Sequence, residues 1–118
     1  SDSRLPISAL AGKSVLAIAG IGNPVAFFSQ LAEVGARVIP QEFSDHHAFG
    51  VDDVARILGR GEQFDYVVCT LKDAVKLGPL WPPGAPALWY VSLAVRFESG
   101  EAELEDLLMR PRGRIDVA

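Results

Sequence analysis

Cysteine is almost absent from the chain. Cys69 stands alone among 118 residues, so no internal disulfide can form and a reducing compartment is expected. Long apolar runs are missing too: none approaches the ~20 residues that a membrane span needs. Bases are outnumbered, with 11 Lys and Arg against 15 Asp and Glu and a formal charge of −4. A chain this acidic lacks the electrostatic footprint of a nucleic-acid binder, and no nucleic-acid partner is expected. It is also a poor purely charge-driven membrane anchor. No basic segment followed by an apolar one opens the chain, so no signal peptide is expected. The first residue is Ser1 rather than Met, which fits a processed N-terminus or a domain cut from a longer protein.

What is present is a globular composition. Hydrophobic residues make up 49% and charged residues 22%, which excludes disorder, collagen and a disulfide scaffold. A length of 118 residues is one domain's worth of chain, 1–118, able to bury one core.

Ser14 to Gly20 (SVLAIAG) is a continuous apolar run ending in glycine and reads as a strand buried on both faces. Asn23 is a good N-cap and Pro24 suits the first helical position, where its missing N–H costs nothing. Val25, Phe28, Leu31, Ala32 and Gly35 follow at helical spacing, with Gly35 as the stop. Ala36 to Phe43 is strand-like, and Pro40 pushes it toward a sheet edge. Val51 to Leu58 reads as a helix with Asp52 and Asp53 in its first turn, ended by Gly59 and Gly61. Asp65 to Thr70 is a third buried strand, and Leu71 to Leu77 a short helix directly after it. Gly78 to Pro86 holds four of the eight prolines, which makes it a stiff loop. Ala87 to Phe97 reads as strand and Glu101 to Arg110 as an amphipathic helix. Residues 111–118 are expected as a flexible tail.

Strands alternating with helices predict a layered α/β/α domain. Its small, mostly parallel sheet should have about four to five strands, flanked by helices. Ligands in such sheets sit beyond the carboxyl ends of the strands. The loops there are Gly20 to Pro24, Ser44 to Phe49 and Thr70 to Asp73, and they hold nearly all the unusual residues.

Gly20-Ile-Gly22-Asn-Pro-Val25 is an incomplete dinucleotide fingerprint, with Glu42 at the distance where such a fingerprint expects an acid. Val25 replaces the third glycine, and Pro24 removes a donor from the helix start that would face a pyrophosphate. No G-x-x-x-x-G-K-S/T phosphate loop exists; Gly12-Lys13-Ser14 precedes the first strand and lacks the earlier glycine. Asp45-His46-His47 puts both histidines of the chain beside an acid in a loop. Adjacent rings diverge and no further ligand set such as H-E-x-x-H is present, so no metal site is expected. A histidine held by a carboxylate suits general acid–base work, whereas the bland alternative is a capped polar loop. Lys72 near a helix start is unfavourable for the dipole; it either awaits an anionic partner or pairs with Asp73. Cys69 reads as an inert core thiol.

Taken together, these pieces resemble the C-terminal part of tetraacyldisaccharide 4′-kinase, the lipid A 4′-kinase family of Gram-negative bacteria. The resemblance rests on GIGNP with Phe27-Phe28, on F-x-DHH-x-F from Phe43 to Phe49, and on T-x-KDAVKL from Thr70 to Leu77, in that order. Leu71 stands where the family has Glu, and Ser44 where it has Pro. The resemblance implies transfer of the γ-phosphate of ATP, with Mg²⁺, onto the 4′-hydroxyl of a tetraacylated disaccharide 1-phosphate. The full-length enzyme would work at the cytoplasmic face of the inner membrane. The implied partners are an N-terminal P-loop domain of the same enzyme and the lipid substrate. Membrane contact would come through that other domain, and no cofactor is expected to bind this one tightly alone. The resemblance further implies His46 as the catalytic histidine with Asp45 as its orienter. It places Thr70, Lys72, Asp73 and Asn23 along the substrate and phosphate cleft. A stand-alone, non-catalytic α/β binding module derived from the family is the alternative, motivated by Leu71. A small dinucleotide-binding domain is a third reading.

Overall fold

The computed structural model describes residues 4–61, 63–93 and 112–117. Its first strand, β1 (Arg4–Pro6), leads through a 3-10 turn (Ile7–Leu10) into β2 (Ser14–Ala19). From Val15 to Ala19 every residue of β2 is buried, as the unbroken apolar run required. Then come α1 (Pro24–Glu33), β3 (Arg37–Glu42), α2 (Val51–Gly61) and β4 (Tyr66–Thr70). The last elements are α3 (Leu71–Leu77), a second 3-10 turn (Gly78–Leu80), β5 (Leu88–Leu93) and β6 (Arg112–Val117).

The strands form one six-stranded sheet in the order β1-β6-β5-β4-β2-β3, with every pairing parallel. The expected architecture holds, with β1 and β6 beyond the strands foreseen. Arg112–Val117 is a correction: this stretch, read as a flexible tail, is strand β6 between β5 and β1. Its polar residues hid it, because Arg114 and Asp116 on the pleat face that excludes Ile115 pair with each other. The expected helix Glu101 to Arg110, and the strand residues past Leu93, lie outside the described residues.

Alternation along the strands divides the core in two. Leu16, Ile18, Val67, Cys69, Leu88 and Tyr90 face α2 and α3, which contribute Val54, Ile57, Ala74 and Leu77. Val15, Ala17, Ala19, Val68 and Ile115 face α1 and the first 3-10 turn, which contribute Phe27, Leu31, Ile7 and Leu10. Each large apolar side chain buried this way contributes about 1.5–3 kcal/mol. On α1 the inward stripe is Phe27 and Leu31; Val25 is 67% exposed. Asn23 caps α1 by accepting from the Ala26 N–H at 3.4 Å, with Pro24 next to it, as expected. Gly35 leaves the helix with φ of +96°, a conformation that favours glycine. Gly59 is a correction, since α2 runs through it to Gly61. Pro40 lies on the edge strand β3, where a missing N–H is tolerated.

One close approach is decisive for β5 and β6. Trp89 pairs in register with Gly113, and a Cβ on Gly113 would lie 2.3 Å from the Trp89 ring. Gly113→Ala should therefore cost about 2–3 kcal/mol by overpacking. Denaturant unfolding measures this, and adding Trp89→Val should recover part of the loss. An unchanged midpoint for Gly113→Ala would refute the packing argument.

Candidate functional site

Strand β2 pairs with β3 on one side and β4 on the other. The chain leaves β2 through α1 on one face and returns to β4 through α2 on the other. The loops therefore part at the carboxyl ends of these strands and leave a crevice. Three segments surround it: Gly20 to Asn23, Phe43 to Gly50, and Thr70 to Asp73. The Phe43 N–H donates to the Ala19 carbonyl at 2.8 Å, which holds the second segment against the first. A Cβ on Gly22 would lie 3.2 Å from Asp45 Oδ2, so the two loops touch there.

The two histidines are separated by their surroundings. The His47 ring stacks on Phe43 at 4.8 Å and meets Phe49 edge-on at 4.9 Å. His47 Nε2 lies 3.0 Å from Asp53 Oδ2. The same oxygen accepts from the Gly50 N–H at 2.9 Å, and Arg56 donates to Oδ1 at 3.1 Å. Asp53 thus closes the start of α2 in the manner of a capping box while gripping the loop. The Gly50 N–H, then His47, burial notwithstanding, hold its carboxyl below the usual carboxylate value. Lys76 Nζ donates to the His47 carbonyl at 3.3 Å, adding a tie from α3.

His46 is turned outward instead. The His47 N–H donates to the Ser44 carbonyl at 3.0 Å, closing a turn with His46 at its second central position. His46 has φ of +63° and is the only described non-glycine residue with positive φ. Left-handed backbone costs a residue with a Cβ roughly 1–2 kcal/mol. The side chain is 84% exposed, and its Nε2 stands 3.6 Å from Asp45 Oδ2. That separation is an ion-pair distance and too long for a hydrogen bond. Proximity of Asp45 to His46 is thus present, and a fixed hydrogen bond between them is not.

The cleft residues fall into two groups. Asn23 and Thr70 line one open groove of about 650 Å³, together with Ile21, Phe27, Gln30 and Glu33. Lys72 is exposed on the first turn of α3. Asp73 is a correction, because it is fully buried beneath the cleft instead of lining it. Its Oδ2 accepts from the Gly20 N–H at 3.0 Å and from the Thr70 hydroxyl at 2.8 Å. Sequence reasoning missed the roles of Phe43, Phe49, Asp53 and Lys76. The symmetric phenylalanines of F-x-DHH-x-F were the available signal.

The loop after β2 is a poor nucleotide cradle. Its Gly20 N–H is committed to Asp73, the Ala26 N–H to Asn23, and Pro24 has none to offer. Among the described residues no cluster of three or more His, Cys, Asp or Glu is placed to hold a metal ion.

Three outcomes follow from this geometry. His46→Gly should leave stability unchanged or raise it by up to about 1 kcal/mol, since the turn favours glycine. His47→Ala should lower it by about 1–3 kcal/mol through lost ring packing and one lost hydrogen bond to Asp53. Denaturant titration of both variants decides; a larger loss from His46→Gly would contradict the strain assignment. Asp53 contributes stability that is present above its unfolded value near 3.8 and disappears as pH falls through its lower folded value. The melting temperature of Asp53→Asn should thus approach that of the wild type at the acid end, with the gap opening as pH rises. A gap independent of pH would remove the linkage.

Comparison with known proteins identifies the family. The family model for tetraacyldisaccharide-1-P 4′-kinase matches residues 2–111. The chain is 40% identical over 100 residues to the tetraacyldisaccharide 4′-kinase of an Azoarcus species, covering 85% of this chain and 27% of that protein. It is 41% identical over 102 residues to the protein of the same name from Thiobacillus denitrificans, covering 86% of this chain and 28% of the relative. A Polaromonas relative of that name is 40% identical over 97 residues, covering 80% and 26%. The chain thus spans about a quarter of the length of these curated relatives. No solved structure matches it. The motifs around the crevice and the match over nearly the whole chain lead to one conclusion: this chain belongs to the tetraacyldisaccharide-1-P 4′-kinase family.

Proposed function

We propose that the chain is the C-terminal domain of an ATP-dependent kinase that phosphorylates the 4′-hydroxyl of a tetraacylated disaccharide 1-phosphate. The observation that carries this reading is His46. A strained turn presents its ring to solvent at the carboxyl ends of the strands, with Asp45 alongside. A residue kept in an unfavourable backbone conformation is an expected mark of function. The exposed imidazole is free to accept a proton from an acceptor hydroxyl, with the Asp45 carboxyl 3.6 Å from Nε2. His47 serves this role indirectly, as the anchor that holds the turn in place.

The groove beside α1 suits the sugar of the acceptor. Asn23 and Gln30 supply amides, Thr70 a hydroxyl and Glu33 a carboxylate, over an apolar floor that includes Ile21 and Phe27. That inventory matches a neutral polyhydroxyl ring, and Glu33 makes it unfavourable for phosphate. Lys72, exposed at the other side of Thr70, is the group suited to offset phosphate charge. ATP and Mg²⁺ do not fit the residues described, and on this reading the rest of the polypeptide holds them. Leu71 packs against the core on the α2–α3 side, so its replacement of Glu leaves the groove lining unaltered. That packing weighs against the non-catalytic module. No described helix is long and apolar enough to cross a membrane, and the proposal places the full-length enzyme at the cytoplasmic membrane face through its other part.

The test is an assay of 4′-phosphorylation with the full-length polypeptide. His46→Ala should reduce turnover by about 10²–10⁴-fold with the fold intact. His47→Ala should act mainly through stability and recover as temperature is lowered. The 118-residue chain alone should show no turnover. Activity of the isolated chain, or full activity of His46→Ala, would overturn the assignment.

A further inference from the structure

Asp73 is the one charged side chain in the described core with no exposed surface, and the proposed proton transfer does not use it. It stands at the third position of α3, whose N-cap is Thr70. The Asp73 N–H donates to Thr70 Oγ1 at 3.2 Å, and that hydroxyl donates back to Asp73 Oδ2 at 2.8 Å. An acid at this position ordinarily turns back to the N-cap amide. Here it reaches instead to the Gly20 N–H, 53 residues away in sequence and on the neighbouring loop. Its Oδ1 is buried without a hydrogen-bond partner among the described residues. That oxygen lies close to Gly20, whose backbone is also enclosed by Phe43 and Phe49. Burying an unpaired acceptor is unfavourable, so the acid is a costly way to cap a two-turn helix.

What the carboxylate joins explains the placement. Gly20 begins the loop that carries Asn23, and Thr70 ends β4 and caps α3. Asn23, on the loop after β2, and Thr70, at the end of β4, are both among the residues that line the groove. We propose that Asp73 is a positioning residue which, by clamping Gly20 to Thr70, sets the width of the groove that receives the acceptor sugar. This rests on the reading of the groove given above and adds the residue that determines its fit. The clamp is a matter of hydrogen-bond geometry, so a carboxamide of the same shape should largely preserve it. It acts on the acceptor only, because the nucleotide is held elsewhere.

The experiment has two arms. In the 118-residue chain, amide hydrogen exchange is followed at Gly20. Asp73→Ala and Thr70→Val, which removes the hydroxyl that both donates to Asp73 and caps α3, should speed Gly20 exchange about tenfold or more while Leu16 and Ile18 stay protected. Asp73→Asn should keep Gly20 protected. In the full-length enzyme, Asp73→Ala and Thr70→Val should raise KM for the lipid acceptor about tenfold and leave KM for ATP unchanged, with Asp73→Asn close to wild type. A purely structural role would lower kcat through the folded fraction and leave both KM values alone; that result overturns the proposal. Unchanged Gly20 exchange in both variants, or an Asp73→Asn enzyme as impaired as Asp73→Ala, also overturns it. Should Asp73→Ala fail to fold, Gly20 exchange in Thr70→Val decides, because the KM of that variant also reflects the lost groove hydroxyl. A wild-type enzyme with no 4′-kinase activity would overturn the functional reading, while the exchange arm still decides whether the clamp exists.

Discussion

Strand β2 is bonded on one side to β3 and on the other to β4, and the geometry of the site descends from that arrangement. The chain runs from β2 to β3 on one side and from β3 back past β2 to β4 on the other, and right-handed crossovers in opposite directions put their helices on opposite faces. The helices of those crossovers cover opposite faces, so β2 is buried on both and can hold no polar residue in its interior. Its five buried residues, Val15 to Ala19, meet that requirement. The same arrangement parts the loops at the carboxyl ends, and polar chemistry becomes possible only there. Gly20 marks the change: it lies at the end of the apolar run, and its N–H is satisfied by a side chain instead of a strand, as that of Ser14 is by Asp65 at the other end.

Around the crevice, rigid and exposed groups are paired one with another. His47 and Asp53 are held by rings, backbone and a neighbouring guanidinium, whereas His46 and Asp45 next to them stand in solvent. A loop that presents one reactive side chain needs such an anchor, because an exposed turn otherwise samples many conformations. The strain at His46 is sustained by its neighbour's contacts. Neighbouring histidines of the same chemical type therefore have different parts, decided by which one the two phenylalanines enclose.

Much of the fold was legible because its signals are local. The continuous apolar run of β2, the Asn23–Pro24 helix start and the edge position of Pro40 each depend on a few adjacent residues. Strand β6 was not legible, since its partners are β1 and β5 and two of its polar residues, Arg114 and Asp116, pair with each other on one face. The inward face of α1 was legible only in part. Leu31 is buried and Phe28 packs against the same core, but Val25 is exposed and Phe27, off that spacing, is the more deeply buried ring. Periodicity specifies that a helix has a buried face, and the opposing surface selects which residues form it.

The sequence by itself determined the class of fold, the three loops that carry the unusual residues and the resemblance to a kinase family, all of which reside in short ordered motifs. Tertiary structure alone decided the assignment of parts within those motifs. It buried Asp73, tied it to a residue 53 positions away, enclosed His47 and left His46 free. The physical reason is that a side chain's chemistry is set by what surrounds it, and these surroundings come from strands and helices brought together only by the sheet.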